Sequence, residues 1–191
     1  MRTNVTLPAQ YFEDKYKNDI DPWRFRTSPY ERDKYAATLR ALTKTRYRSG
    51  LEVGCSIGVF TRLLAAHCQT LIAIDTSAIA LAAAKETNQP NVVFKQAALP
   101  GQFPAGAFDL IVLSEVLYYF DKPDLQLVAR QCVRSIAPQG EIIVCHWLGE
   151  TDYPLTGTGA SETFAQVVSS PGLSRTIIHD ETYRLERYAL A

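Results

Sequence analysis

No two of the four cysteines in this chain (Cys55, Cys68, Cys132, Cys145) are spaced CxxC, and none stands in a ligand-like grouping with the three histidines. A zinc site and a disulfide framework are therefore not expected; the thiols read as reduced and mostly buried. Long apolar runs are also missing. The longest, Leu110 to Phe120, is interrupted by Ser114 and Glu115 and falls short of the ~18 residues of a membrane-spanning helix. MRTNVTLPAQ at the N-terminus lacks the apolar core of a secretion signal, so the expectation is a cytoplasmic protein without membrane contact. Net charge is absent too. Twenty Lys+Arg balance 20 Asp+Glu, and nothing in the total calls for a nucleic-acid partner. The balance is local, however: residues 1–48 carry 11 basic and 6 acidic side chains, the rest 9 and 14. A basic front segment suits an acidic ligand or simply solvated helix surface.

What is present fits one ordinary globular domain: 191 residues, 47% hydrophobic and 21% charged. From Gly50 onward short apolar runs alternate with helical patterns. LEVG (51–54), LIAID (71–75), NVVFKQ (91–96), FDLIVLS (108–114) and EIIVCHW (141–147) read as strands. Between them, helical patterns run over Val59–His67, Ala78–Glu86 and Leu125–Ser135, the last opened by Pro123 and broken by APQG (137–140). This β-α-β-α rhythm predicts a doubly wound parallel sheet with helices on both faces. The end differs: a helix over Ser161–Ser169, a turn at Pro171-Gly172, then strands TIIH (176–179) and YRLERYAL (183–190). Their short link permits only an antiparallel hairpin. His67 falls at a helix end and His179 in the hairpin turn, and neither is given a role. In front, residues 1–48 hold two helical patterns around DPWRFRTSPYE (21–31) and form a candidate lid segment ahead of a core over 49–191.

The sharpest local signal is LEVGCSIGVF (51–60), a strand, a glycine-bearing turn and a helix. Ligands of open α/β sheets bind at such turns. Gly54 and Gly58 let the backbone approach a ligand closely, or serve tight strand–helix packing alone. The dinucleotide fingerprint GxGxxG needs glycines at 54, 56 and 59, where the chain has Gly54, Ser56 and Val59, which disfavours a nicotinamide cofactor. The pattern instead is ExGxxxG from Glu52 to Gly58. Asp75 ends the second strand, where a carboxylate can accept both hydroxyls of a ribose. Its competing reading is an N-cap, for which Ser77 is better placed.

ExGxxxG, the acidic end of the second strand, FDLIVLSEVLYYF (108–120) and the APQG turn together resemble class I S-adenosylmethionine methyltransferases. The closer resemblance, carried by DPW…YE..KY, SEVLYY, CHW and DYPLTG, is to the rhizobial nodulation methyltransferases of the NodS type. It implies a Rossmann-like sheet of seven strands, mostly parallel, with an antiparallel C-terminal hairpin. It further implies that Glu52, Gly54 and Gly58 hold the methionine end of the cofactor and Asp75 its ribose, with Cys55 and Thr76 in the same turns. The family often places an Asp after the third strand against the adenine. Here KQAALP stands there, so adenine contact falls to the backbone near Ala98 and Leu99, or to Gln96.

Ser114, Glu115, Tyr118 and Tyr119 follow the fourth strand at the expected mouth of the cofactor pocket. A carboxylate at Glu115 suits taking or orienting the proton of an amine acceptor, and a buried carboxylate there needs a partner. Tyr118 is the third acceptor-side candidate beside His146, and each tyrosine reads equally as a helix residue with one face buried. His146 ends the fifth strand as an acid–base or lining group, with Trp147 beside it. Trp23, Tyr30 and Tyr35 lie over the acceptor or merely staple the first helices. The resemblance thus predicts methyl transfer from S-adenosyl-L-methionine to a small polar acceptor, first an amino group of an amino sugar or chitooligosaccharide-like molecule. O-methylation of a small metabolite, an inactive cofactor-binding module and a dehydrogenase are the alternatives. No metal is expected, and the expected assembly is a monomer or homodimer.

Overall fold

A computed structural model of the chain describes residues 2–169 and 172–190, without the side chain of residue 190. Its contacts divide into two compact units, Pro8–Ala98 and Met1–Leu7 with Leu99–Ala191.

In Pro8–Ala98, helices α1 (Ala9–Asn18) and α2 (Pro29–Arg40) precede β1 (Tyr47–Val53), α3 (Val59–Ala65), β2 (Cys68–Asp75), α4 (Ala78–Lys85) and β3 (Val92–Gln96). β2 pairs in parallel with β1 on one side and with β3 on the other. The local sequence accounts for the helix starts. Ser28 accepts the Glu31 amide and Pro29 occupies the first turn of α2, where a missing N–H costs nothing. Ser77 does the same for α4 by accepting the Ala80 amide. Tyr16 of α1, Ile57 and Ala80 form a small core with Phe12, Trp23 and Val59 packed around it. α1 is thereby fixed against the turn that follows β1. Helix α3 ends at Ala65, earlier than the His67 expected.

The other unit contains β4 (Phe108–Ser114), α5 (Lys122–Ser135), β5 (Ile136–Trp147), α6 (Gly157–Val168), β6 (Leu173–Asp180) and β7 (Tyr183–Leu190). β4 is parallel to β5, whereas β7 is antiparallel to both β5 and β6. Every residue of β4 except Ser114 is buried, Asp109 included, as a near-continuous apolar run demands of a strand covered on both faces. The expected hairpin is present and longer than expected. β6 reaches Asp180, so His179 is a strand residue stacked on Tyr183 at 4.1 Å rather than part of the turn. Of the expected Pro171-Gly172 turn, Pro171 lies outside the described residues. APQG neither ends α5 nor precedes β5: the helix stops at Ser135 with Ile136 already extended, and APQG bulges within the strand. The register passes from Phe108↔Ile136 to Leu110↔Glu141, and Gln139 adopts φ +62°. Glu186, without exposed surface, is held by Arg175 and by the Tyr188 hydroxyl at 2.6 Å.

All seven strands of the expected α/β pattern are thus formed, mostly parallel with an antiparallel C-terminal pair. Among the described residues no helix is long and apolar enough to cross a membrane, and no group of His, Cys, Asp or Glu could hold a metal ion. The four cysteines are free and buried.

Candidate functional site

The turn after β1 is shaped by three left-handed residues, Gly54 (φ +76°), Ser56 (φ +50°) and Gly58 (φ +79°). Its start is tied to β2, because the Gly54 and Cys55 amides both donate to the Ile74 carbonyl at 2.8 and 2.9 Å. Gly58 opens α3. A Cβ there would lie 3.1 Å from both Ala84 Cα and Ala84 Cβ, so this glycine answers to the packing of α4. Two buried carboxylates flank the turn. Asp75 accepts the Ser56 amide on Oδ2 (2.8 Å) and the Ser77 amide on Oδ1 (2.9 Å). Burial pushes its carboxyl up, and the amides of Ser77, Ser56 and Thr76 oppose that rise. Ser77, not Asp75, caps α4. A carboxylate has acceptor capacity beyond two such bonds.

Glu52 is 4% exposed, and its Oε2 has no hydrogen-bond partner among the described residues. Burial pushes its carboxyl up to about 7; the Thr61 hydroxyl, whose geometry falls short of a hydrogen bond, partly offsets this, and Asp75 adds to it. An orphaned buried acceptor is costly unless a ligand or water meets it, and a cationic amino group is the donor that a carboxylate meets best. These residues fit a cofactor with an ammonium at one end and a ribose at the other. Cys55 is buried, Thr76 half-buried and Ala98 exposed. Gln96 donates its amide to the Thr76 carbonyl at 3.1 Å.

Sequence reasoning missed the support beneath this turn. The Tyr16 hydroxyl donates to Ser56 Oγ at 2.6 Å, and Ser77 Oγ donates to Glu13 at 2.5 Å. Both partners lie on α1, remote in sequence, and no motif announces them. Trp23 meets Tyr16 edge-on at 5.6 Å, Tyr35 is buried and stacked on Phe60 at 4.8 Å, and Tyr30 carries Lys34 Nζ over its ring at 5.1 Å.

The acceptor-side candidates gather in the other unit. β4 ends at half-buried Ser114, and Glu115 follows with φ +58°, its amide donating to the Cys145 carbonyl at 2.8 Å. A non-glycine residue in that conformation persists only where its surroundings over-determine it. Here they do so through the side chain: Glu115 Oε2 accepts the Tyr118 hydroxyl at 2.7 Å and the Trp147 amide at 3.0 Å. Tyr118 lies in a short 3₁₀ turn, Leu117–Tyr119, rather than an amphipathic helix. Burial, then the Glu115 charge, pushes its hydroxyl well above the ordinary tyrosine range. His146 has no exposed surface, and its Nε2 accepts the Leu117 amide at 3.0 Å. That lone pair is committed to the 3₁₀ turn, and a ring accepting there carries no proton on Nε2. Tyr118 meets His146 edge-on at 5.3 Å. Trp147 is 40% exposed, and Leu99 is half-buried.

A glycine turn closing the first of a parallel strand series, a carboxylate ending the second strand and an antiparallel final hairpin are how Rossmann-like methyltransferases are built, and by its fold this chain is of that class. The family model described as Nodulation protein S (NodS) matches residues 10–149, and the chain belongs to that family. Nodulation protein S of Rhizobium tropici is 36% identical over 127 residues, which are 64% of this chain and 53% of that protein. Its counterpart in Sinorhizobium fredii is 34% identical over 130 residues, 64% of this chain and 59% of the relative. The chain thus spans little more than half the length of these relatives. The solved structure of N-methyltransferase NodS from Bradyrhizobium japonicum WM9 in complex with S-adenosyl-L-homocysteine aligns with a TM-score of 0.78 at 26% identity. That alignment covers 95% of this chain and 97% of the other.

Proposed function

We propose that the chain is an S-adenosyl-L-methionine-dependent methyltransferase acting on a small polar acceptor, with the amino group of an amino sugar or chitooligosaccharide-like molecule as that acceptor. The observation that carries the reading is the buried Glu52 carboxylate with its unpartnered Oε2 in the ExGxxxG turn of a NodS-family chain. The cofactor supplies an electrophilic methyl group on a sulfonium. Glu52 holds its amino group, the backbone of Gly54 and Cys55 lies along its methionine end, and Asp75 accepts its ribose hydroxyls. Glu115 orients the acceptor and takes a proton from its nitrogen at a carboxylate oxygen, so that the amine attacks neutral. His146 serves this indirectly by holding the Leu117 amide and with it the turn that carries Tyr118. The N-methyltransferase named among the solved relatives supports nitrogen as the acceptor atom. We read the protein as a monomer or homodimer of the cytoplasm without a nucleic-acid partner.

Binding of S-adenosylhomocysteine comes first in the test. At about 100 times its dissociation constant a ligand adds roughly 2.7 kcal/mol, a rise of several degrees in melting temperature for a domain of this size. Transfer of tritiated methyl is then measured to glucosamine, a de-N-acetylated chitooligosaccharide and hydroxylated metabolites. Labelling of the two amines is the expected result. Labelling confined to hydroxyl acceptors makes the protein an O-methyltransferase, and binding without transfer makes it a cofactor-binding module. Stabilisation by NAD alone overturns the reading.

A further inference from the structure

Tyr153 belongs to no helix or strand; it lies in the segment 148–156 between β5 and α6. Its ring nevertheless sits among the acceptor-side tyrosines. It stacks on Tyr118 at 5.2 Å and 26°, meets Tyr119 edge-on at 4.7 Å, and shares a hydrogen bond with the Tyr119 hydroxyl. The segment is also tied down on both sides. The Leu155 amide donates to the Tyr118 carbonyl at 3.2 Å, the Thr3 amide to the Asp152 carbonyl at 3.2 Å, and the Arg2 guanidinium to the Thr151 carbonyl at 3.0 Å. The same N-terminal strap continues to the other tyrosine. The Leu7 amide donates to the Tyr119 carbonyl at 2.9 Å, while Thr6 Oγ1 accepts the Asp121 amide (3.0 Å) and donates to Asp124 (2.6 Å).

These contacts converge on one degree of freedom. The Tyr118 hydroxyl reaches Glu115 only while its ring is held in place, and the faces holding it belong to Tyr153, Tyr119 and His146. An offset-stacked ring fixes the plane of its partner. With that plane released, Tyr118 swings and Glu115 Oε2 loses the Tyr118 donor, so the carboxylate turns about its side-chain bonds while the backbone stays tied through its amide to the Cys145 carbonyl.

We propose that Tyr153, braced by the strap of residues 2–7, is a positioning residue that aims the Glu115 carboxylate through Tyr118 and thereby sets acceptor turnover. This rests on Glu115 as the acceptor-side carboxylate, and it extends that reading to the tyrosine of DYPLTG, a motif to which no role has been given.

The test uses Tyr153→Ala, Tyr153→Leu and Tyr153→Phe in the full chain. Tyr153→Leu keeps apolar volume should the alanine variant fail to fold. The first readout needs no acceptor. The Trp147 amide donates to Glu115 Oε2 and reports where the carboxylate stands, whereas the Glu115 amide donates to the Cys145 carbonyl and reports only the backbone. With the stack removed, hydrogen exchange at the Trp147 amide is expected to quicken about fivefold to tenfold, as for one weakened hydrogen bond, while the Glu115 amide keeps its rate. The second readout is methyl transfer to glucosamine. kcat/KM for the acceptor should fall about tenfold to a hundredfold, the scale of a misplaced catalytic group, with an altered pH profile and unchanged affinity for S-adenosylhomocysteine. Tyr153→Phe should restore most of both, since the stack needs the ring and not the hydroxyl. Equal acceleration of both amides means general loosening and overturns the proposal, as does a wild-type exchange rate at Trp147. Should the wild-type protein methylate no amine, the proposed function falls, and the exchange measurement still decides the role of Tyr153.

Discussion

Glu52 is the residue whose chemistry depends most on its burial. Its carboxyl titrates near 7 in the fold, against 4.5 for an exposed one. A group whose folded value lies above its unfolded value takes up a proton on folding, so its contribution to stability is complete below pH 4.5 and is lost as pH rises through about 7. Glu52→Gln imitates the protonated form, so its melting temperature should match the wild type near pH 4 and exceed it at pH 8. Cofactor affinity should run the other way, because a cationic amino group is held by the ionised carboxylate. Below pH 7 the wild type should lose affinity for S-adenosylhomocysteine by up to about tenfold per pH unit, and Glu52→Gln should show a flat profile. Calorimetric titration across pH 5.5–8 checks this; a flat wild-type profile would remove Glu52 from the cofactor's amino group. The places of such residues were legible in two ways: the ExGxxxG resemblance marks Glu52, and Asp75 ends its strand, where side chains stand at the ligand edge. Tyr16 and Glu13 were not legible, and Tyr153 was visible only as part of DYPLTG, since the partners of all three are set by tertiary packing and carry no periodicity.

Among the elements, β4 and α5 show why the pattern reading succeeded. A near-continuous apolar run has no stable place except between two covering layers, and Pro123 marks an early helix position, ahead of which the structure adds Asp121 as the cap accepting the Asp124 amide. It failed where one residue type serves two structures. APQG reads as a turn before a strand but is a bulge inside one, and SEVLYYF has helical spacing but supports only a 3₁₀ turn. Gly58 belongs to this scale. Close approach to a ligand and close approach of α4 both call for glycine, and the structure supplies the second cause directly through Ala84. Gly58→Ala should therefore destabilise the protein without any ligand, by about 1–3 kcal/mol for a side chain forced to φ > 0. Urea unfolding of the ligand-free protein measures it. Undiminished stability together with weakened S-adenosylhomocysteine binding would return Gly58 to the cofactor.

At the scale of the molecule, the residues proposed for cofactor affinity and those proposed for turnover fall into different compact units. Glu52, Gly54 and Asp75 belong to Pro8–Ala98, while Glu115, Tyr118, His146 and Tyr153 belong to the remainder. Each set is braced by its own part of the N-terminal region, α1 through Tyr16 and Glu13 for the first, residues 2–7 for the second. Substitutions in the two sets should therefore act on separate measurable quantities. Asp75→Ala removes a charged acceptor of the ribose hydroxyls, for which about 1.5–3 kcal/mol of cofactor binding is the ordinary scale. At saturating cofactor it should transfer methyl at a near-normal rate. Glu115→Gln should do the reverse, keeping affinity for S-adenosylhomocysteine and losing about 100- to 10,000-fold in single-turnover transfer if it takes the acceptor's proton. His146→Ala should lie between the two kinds. Its Nε2 holds a buried backbone amide rather than the acceptor, so its loss should destabilise the fold by about 1–3 kcal/mol and slow turnover less than Glu115→Gln. Single-turnover transfer with parallel calorimetry on the three variants decides the assignment. If Glu115→Gln weakens the cofactor and transfers normally at saturation, the acceptor role moves away from Glu115. If His146→Ala costs as much rate as Glu115→Gln with stability intact, the histidine handles the proton itself.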